Sequence, residues 1–210
     1  MNWHPPRWNY TDDAGTPWRV RWAWPDKEPG EYLLEVVTAG PLGVRGAHLS
    51  QGHFELLPED DPQLPALQTE RQRGEIISHW PYMRAIIRAE GCYIKVFRPG
   101  GAAVPAKRCA QMDRLLDAGA FTAPKVLQSS PDTLVLSALS GPTLGEIGED
   151  YVTIGDKEFA GAWEKWSRAW LAQLGAASDV SRRTILGAMP VHSAAVSYTH
   201  LRAHETVLDL

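Results

Sequence analysis

The 210 residues suffice for one medium domain or two small ones, and 44% apolar with 22% charged residues is typical of a folded globular protein. The net charge of −4, with acidic and basic residues interspersed, argues against a nucleic-acid partner. The sequence has no apolar run of about 18 residues and no signal-peptide core near its start, so we expect a cytoplasmic protein without a membrane segment.

The first 72 residues are predicted to be a β-rich segment with a linker. Residues 18–22 alternate apolar and arginine side chains, the period of a half-buried strand. A turn rich in Pro and Gly separates them from a second strand at 32–37, and weaker strand patterns follow at 44–49 and 53–57. The Pro- and Asp-rich stretch 58–65 then predicts a linker or an exposed loop.

A second group of strands is predicted between residues 73 and 144. Three short strands come first, and Glu90-Gly91 is a tight-turn signal between the second and the third. A helix over 103–117 follows, closed by Gly119, and two further strands complete the group. The predicted strands span 75–79, 84–89, 92–97, 124–127 and 133–139.

Residues 145–195 begin with a helical pattern. Apolar side chains recur every three or four residues over 156–174, which predicts a core-packing helix; a tryptophan-lined sugar platform is the sharper alternative. Residues 178–195 show no clear periodicity.

The last 15 residues differ in character from the rest. Residues 196–206 read VSYTHLRAHET, which resembles the translation of a transposase adapter used in sequencing libraries. We therefore expect 196–210 to be a non-native tail and the native reading to stop near Ala195. On this reading His192, His200 and His204 are not metal ligands, and we assign no metal site.

Three stretches of the chain resemble the aminoglycoside phosphotransferase family, which has a protein-kinase-like fold. They are the strand Tyr93–Phe97, the helix exit from Ala110 to Leu127, and the run Leu134–Leu144, which is similar to the family's fifth strand and hinge. The predicted elements of this region, in the order three strands, a helix and two strands, match the order of a kinase small lobe. The resemblance implies an α+β fold: a kinase-like small lobe at 73–144, with a five-stranded antiparallel sheet and one helix, followed by an incomplete helical large lobe at 145–195.

The resemblance also implies a nucleotide site. Lys95 matches the strand lysine that contacts the phosphates of ATP, and Ala138 and Leu139 match the hinge backbone that meets adenine. Gln111 occupies the helix position where the family has a glutamate that pairs with the lysine. ATP and Mg²⁺ are expected for the complete protein, with a small-molecule acceptor that the sequence does not identify.

The sequence departs from the family pattern in two further ways. The turn over 79–83 contains no glycine, although close backbone approach to phosphates usually uses it. No His-x-Asp-x-x-x-x-Asn pattern occurs, so we assign no catalytic residue and expect an inactive N-terminal piece of a phosphotransferase. A non-catalytic kinase-like binding or regulatory module and an unrelated β-rich protein with a helical appendage are the alternatives.

Overall fold

The computed structural model describes residues 6–38, 43–116, 123–140 and positions within 161–172. These residues form an α+β fold with two antiparallel five-stranded sheets. The described parts of 1–103 and 126–138 make up one compact unit, which contains both sheets, and those of 104–125 and 139–210 make up another. The predicted boundary between the β-rich segment 1–72 and the small lobe 73–144 therefore falls inside the first unit.

The first sheet is an antiparallel meander whose strands pair in chain order. Tyr10 of the first strand stacks on Phe54 of the last with ring centroids 4.9 Å apart. Because these strands are the two edges of the sheet, the stack shows that the sheet curls around a core that includes Trp18 and Leu34. The strands are β1 (Asn9–Thr11), β2 (Pro17–Pro25), β3 (Tyr32–Val37), β4 (Val44–Ser50) and β5 (His53–Leu56).

A bulge in β2 redirects one side chain. The pairing with β3 shifts between Val20 and Trp22, which leaves Arg21 as the extra residue. A bulge turns a side chain out of the regular alternation. Arg21 reaches the carboxylate of Glu35 on β3, on the face opposite the curled core.

The second sheet and its helix consist of β6 (Gly74–Trp80), β7 (Arg84–Ala89), β8 (Cys92–Phe97), α2 (Ala103–Leu116), β9 (Val126–Ser129) and β10 (Thr133–Ser137). The strands have the spatial order β6-β7-β8-β10-β9, which makes β8 the central strand. The first three strands follow each other as hairpins; α2 then intervenes, and β10 returns to pair with β8. The five predicted antiparallel strands and the helix after the third are confirmed.

The segment between the sheets is largely an exposed loop, but it has two buried residues. Residues 58–65 have irregular backbone, as predicted, and six of the eight are exposed, whereas Asp61 and Leu64 are buried. Leu64 and Leu67 pack against Ile94 and Val96 of β8 and so cover one face of the second sheet. Leu67 opens a one-turn helix, α1 (Leu67–Glu70), that the sequence analysis did not predict.

The positions described within 161–172 are helical, as the apolar spacing predicts. Trp163 and Leu171 are exposed there, at 46% and 66%. The residues from 173 onward, with the three histidines and the adapter-like tail, lie outside the described residues.

Candidate functional site

Lys95 lies on the central strand of the second sheet. Its register partners are Ile86 on β7 and Leu134 on β10, and only 4% of Lys95 is exposed. Directly paired residues of an antiparallel sheet share a face. Ile94 and Val96 belong to the core under Leu64, so Lys95 points to the opposite face, as the sequence pattern predicts.

The turn between β6 and β7 borders the same face. Trp80 and Arg84 pair with each other, and Arg84 in turn pairs with Phe97, two residues beyond Lys95 on β8. The Met83 N–H donates to the carbonyl of Trp80 at 3.1 Å and closes the turn. Tyr82 takes a φ of 62°, a left-handed conformation that costs about 1–2 kcal/mol for a residue with a side chain. The turn therefore needs support from outside itself.

Asp61 supplies that support from the segment between the sheets. Its Oδ2 accepts the Tyr82 N–H at 2.7 Å and lies 3.0 Å from Nε2 of His79, while its Oδ1 accepts the Gln63 N–H at 2.9 Å. Burial alone would raise the pKa of Asp61, but the hydrogen bonds from His79, Tyr82 and Gln63 favour the carboxylate and bring the pKa below its usual value. Asp61 is thus a buried anion that ties the turn, the end of β6 and its own loop together.

Glu35 forms a second buried junction, between the two sheets. Its carboxylate accepts Arg21 Nε at 2.5 Å, the Ser78 hydroxyl at 2.7 Å and the His79 N–H at 2.6 Å. Arg21 also donates to the carbonyl of Ile77 at 2.6 Å. His79 is therefore held by its backbone on Glu35 and by its ring on Asp61, and the two carboxylates form one continuous polar network.

Two ring contacts and one close backbone approach accompany this network. The rings of Trp24 and Trp80 stack with centroids 4.9 Å apart, and the Arg84 guanidinium lies 5.6 Å from the Trp80 ring. A methyl group added at Gly46 of β4 would lie 3.1 Å from the His79 ring and from Cγ of Pro81. The first sheet therefore packs directly against the turn.

The hydroxyl of Tyr82 is affected by burial and by nearby carboxylates. Burial raises the pKa of the Tyr82 hydroxyl, and the negative charges of Asp61, Glu55 and Asp26 raise it further. The phenol is therefore neutral at physiological pH and can donate a hydrogen bond.

The predicted hinge residue Ala138 follows β10 directly. Its N–H donates to the carbonyl of Gly91 at 3.0 Å. Under the hinge hypothesis, the Ala138 carbonyl is therefore the group that would meet adenine. Ala138 is four positions beyond Leu134, the partner of Lys95, which is about 13 Å along an extended strand. Gln111 is exposed on α2 and Leu139 is half-buried; both belong to the second compact unit.

A cavity of about 290 Å³ lies on another side of the network. It is lined by residues of β4 and β6 and by Glu59 and Arg71 from the segment between the sheets. Arg45 and Arg71 both pair with Glu59 at its wall. The hydrogen bond from Arg71 and its positive charge lower the pKa of the Glu59 carboxyl. Arg45, Arg71 and Glu59 are thus already paired with each other at this wall. The sequence does not reveal the cavity, because its walls come from distant segments.

One group in the described part of the chain has metal-ligand chemistry. Asp26, Glu31 and His48 bring one ligand atom each to within 4.8 Å of one another, and Nε2 of His48 lies 3.5 Å from Asp26. All three are half-exposed, and Glu31 already accepts the Ser50 hydroxyl at 2.8 Å. Exposed acidic groups commonly lie this close together without an ion, so the arrangement by itself does not define a metal site.

No known family, curated protein or solved structure matches the chain. Among the described residues, none of the helices has the length and apolar character that crossing a membrane requires. The residues of the Asp61–Glu35 network escaped sequence reasoning. The one signal was Glu35 itself, a single charge within the otherwise apolar strand Tyr32–Val37.

Proposed function

We propose that this chain is the nucleotide-binding N-terminal part of an ATP-dependent phosphotransferase of kinase-like fold, which acts on a hydroxyl group of a small molecule. Lys95 carries the proposal: a lysine on the central strand of a five-stranded sheet, directed away from the core under Leu64. Phosphoryl transfer depends on positioning and on neutralising phosphate charge, and a lysine ammonium can do both.

The surroundings of Lys95 fit a nucleotide. Ile86 and Leu134 flank it with apolar side chains, and the exposed Ala138, directly after β10, would offer its carbonyl to an adenine edge. Mg²⁺ would accompany ATP in the complete protein. No residue of this chain is assigned to the metal, because the sequence has no His-x-Asp-x-x-x-x-Asn pattern.

Calorimetric titration of the chain with ATP tests the proposal. Lys95→Met keeps much of the buried stem and removes the ammonium, so we expect ATP affinity to fall at least about tenfold, or about 1.4 kcal/mol. Lys27→Met, at an exposed lysine in the β2–β3 turn, is the matched control and should bind ATP like the wild type. Absence of ATP binding by the wild type, or equal binding by Lys95→Met, contradicts the proposal.

A non-catalytic kinase-like binding or regulatory module is the second candidate. The observation that favours it is the glycine-free turn, in which the Tyr82 N–H is already bonded to Asp61 and so is not offered to a phosphate. Sequencing the gene beyond the codon for Ala195 separates the two candidates. A downstream His-x-Asp-x-x-x-x-Asn pattern supports the enzyme, and a downstream domain without the catalytic Asp supports the module.

A further inference from the structure

The β6–β7 turn is closed by the hydrogen bond from Met83 to Trp80, but one of its residues has an unfavourable backbone conformation. It contains no glycine, and Tyr82 adopts a positive φ of 62°. A conformation of this kind persists only where the surrounding structure fixes it. The described contacts that fix it come from outside the second sheet, through Asp61 and through the first sheet.

Asp61 is well placed to hold the turn rigidly. Its side chain is 0% exposed, and its own loop is closed by the Leu64 N–H, which donates to the Asp61 carbonyl at 2.9 Å. Leu64 and Leu67 are wholly buried beneath β8, so the chain that follows Asp61 is fixed to the second sheet. A hydrogen bond to a buried carboxylate is stronger than one between neutral groups.

The network continues from Asp61 into the first sheet. His79 joins Asp61 to Glu35, and Glu35 joins His79 to Arg21. Trp24 adds a stacked ring against Trp80, the residue at which the turn begins. The N-terminal segment therefore supports the turn through Glu35 and Trp24.

We propose that Asp61 is a positioning residue for nucleotide binding: it holds the β6–β7 turn in a preformed position at the border of the Lys95 face. This inference rests on the proposed function. Trp80 and Arg84 lie on the Lys95 face, so a triphosphate bound at Lys95 would meet a turn that is already ordered. A preformed site binds more tightly because less conformational entropy is lost on binding.

On this proposal, release of the turn should weaken the binding of ATP more than the binding of adenosine, which has no phosphates. If the clamp is released, the turn must be ordered by the ligand, and on this proposal the phosphates are the part of the ligand that would lie nearest the turn. We therefore expect Asp61→Ala to lower ATP affinity about fivefold and to leave adenosine affinity within about twofold of the wild type. A general loss of folding would lower both affinities together.

The experiment combines two measurements on the whole chain. Amide hydrogen exchange, read by mass spectrometry after proteolysis, reports the clamp without any nucleotide. In Asp61→Ala, exchange in the peptide containing Tyr82 and Met83 should rise at least about tenfold, while exchange in the β8 peptide stays unchanged. Calorimetry then compares ATP with adenosine. Asp60→Ala removes the neighbouring exposed carboxylate and should match the wild type in both measurements.

Asp61→Asn provides a rescue test. The amide oxygen still accepts from Tyr82, so this variant should fall between the wild type and Asp61→Ala in both measurements. Unchanged turn exchange in Asp61→Ala overturns the clamp. Faster exchange with equal losses of ATP and adenosine affinity, or with no loss, overturns the positioning role. If the wild type binds neither ligand, the proposed function fails and the positioning role fails with it, whereas the exchange result still decides whether the clamp exists.

Discussion

The carboxylate of Asp61 and the backbone N–H of Tyr82 are joined at 2.7 Å across 21 positions of the chain. The bond links a segment that is irregular in backbone to a turn in which Tyr82 has a positive φ. Together with His79 they make a buried junction whose removal should affect the turn before it affects the sheet.

Glu35 gives the clearest prediction about stability. Replacing it with alanine removes the acceptor for Arg21, Ser78 and the His79 N–H, which leaves buried donors unsatisfied. We expect Glu35→Ala to lower the free energy of unfolding by about 3 kcal/mol or more, measured by urea denaturation.

The matched control is Glu75→Ala, which removes an exposed carboxylate paired with Arg88 at 2.7 Å. A surface pair of this kind contributes at most about 1 kcal/mol. Similar losses in the two variants would show that Glu35 does not join the sheets energetically.

The acid sensitivity of the fold should depend on Asp61. The folded chain holds the pKa of this carboxyl below its ordinary value of 3.8, because the hydrogen bonds outweigh the effect of burial. The unfolded chain therefore takes up the proton first as the pH falls. The stabilisation is fully present above about pH 4 and is lost as the pH falls through the folded pKa.

Urea denaturation at pH 7 and at pH 3 measures this dependence. The wild type should lose more stability between the two values than Asp61→Asn, which has no carboxyl to protonate. Glu59 and Asp12 also have lowered pKa values, and they add to the acid loss in both proteins. An equal loss in the two proteins would refute the assignment.

Several elements could be read from the sequence because local signals bound them on both sides. The strands 32–37, 84–89 and 92–97 were predicted with their observed ends, since a turn or a break flanks each of them. Asp61 could not be read in this way. Its neighbours are mostly Pro, Asp and Gln, which are typical of exposed loops, and its partners His79 and Tyr82 lie 18 and 21 positions away. Burial of Asp61 depends on tertiary contacts that local composition does not encode.

Leu64 tests whether the segment between the sheets belongs to the core. It is wholly buried against the second sheet, so Leu64→Ala should leave a cavity and lower the free energy of unfolding by about 2–5 kcal/mol. Leu127→Ala, on the edge strand β9 where the side chain is 58% exposed, should change it by less than about 0.5 kcal/mol. Equal effects in urea denaturation would mean that the segment is a linker after all.

Gly46 tests the packing of the first sheet against the turn. Its φ is not in the left-handed region, so alanine is allowed by the backbone, but the new methyl group would lie 3.1 Å from Cε1 and Nδ1 of His79 and from Cγ of Pro81. Both neighbours are held, His79 by two carboxylates and Pro81 by its ring. We expect Gly46→Ala to lower the free energy of unfolding by about 1–3 kcal/mol in urea denaturation. Gly161→Ala, at a helical position with open space around it, should be neutral or stabilising. If Gly46→Ala were also neutral, the turn would have room to move, and the first sheet would not fix its position.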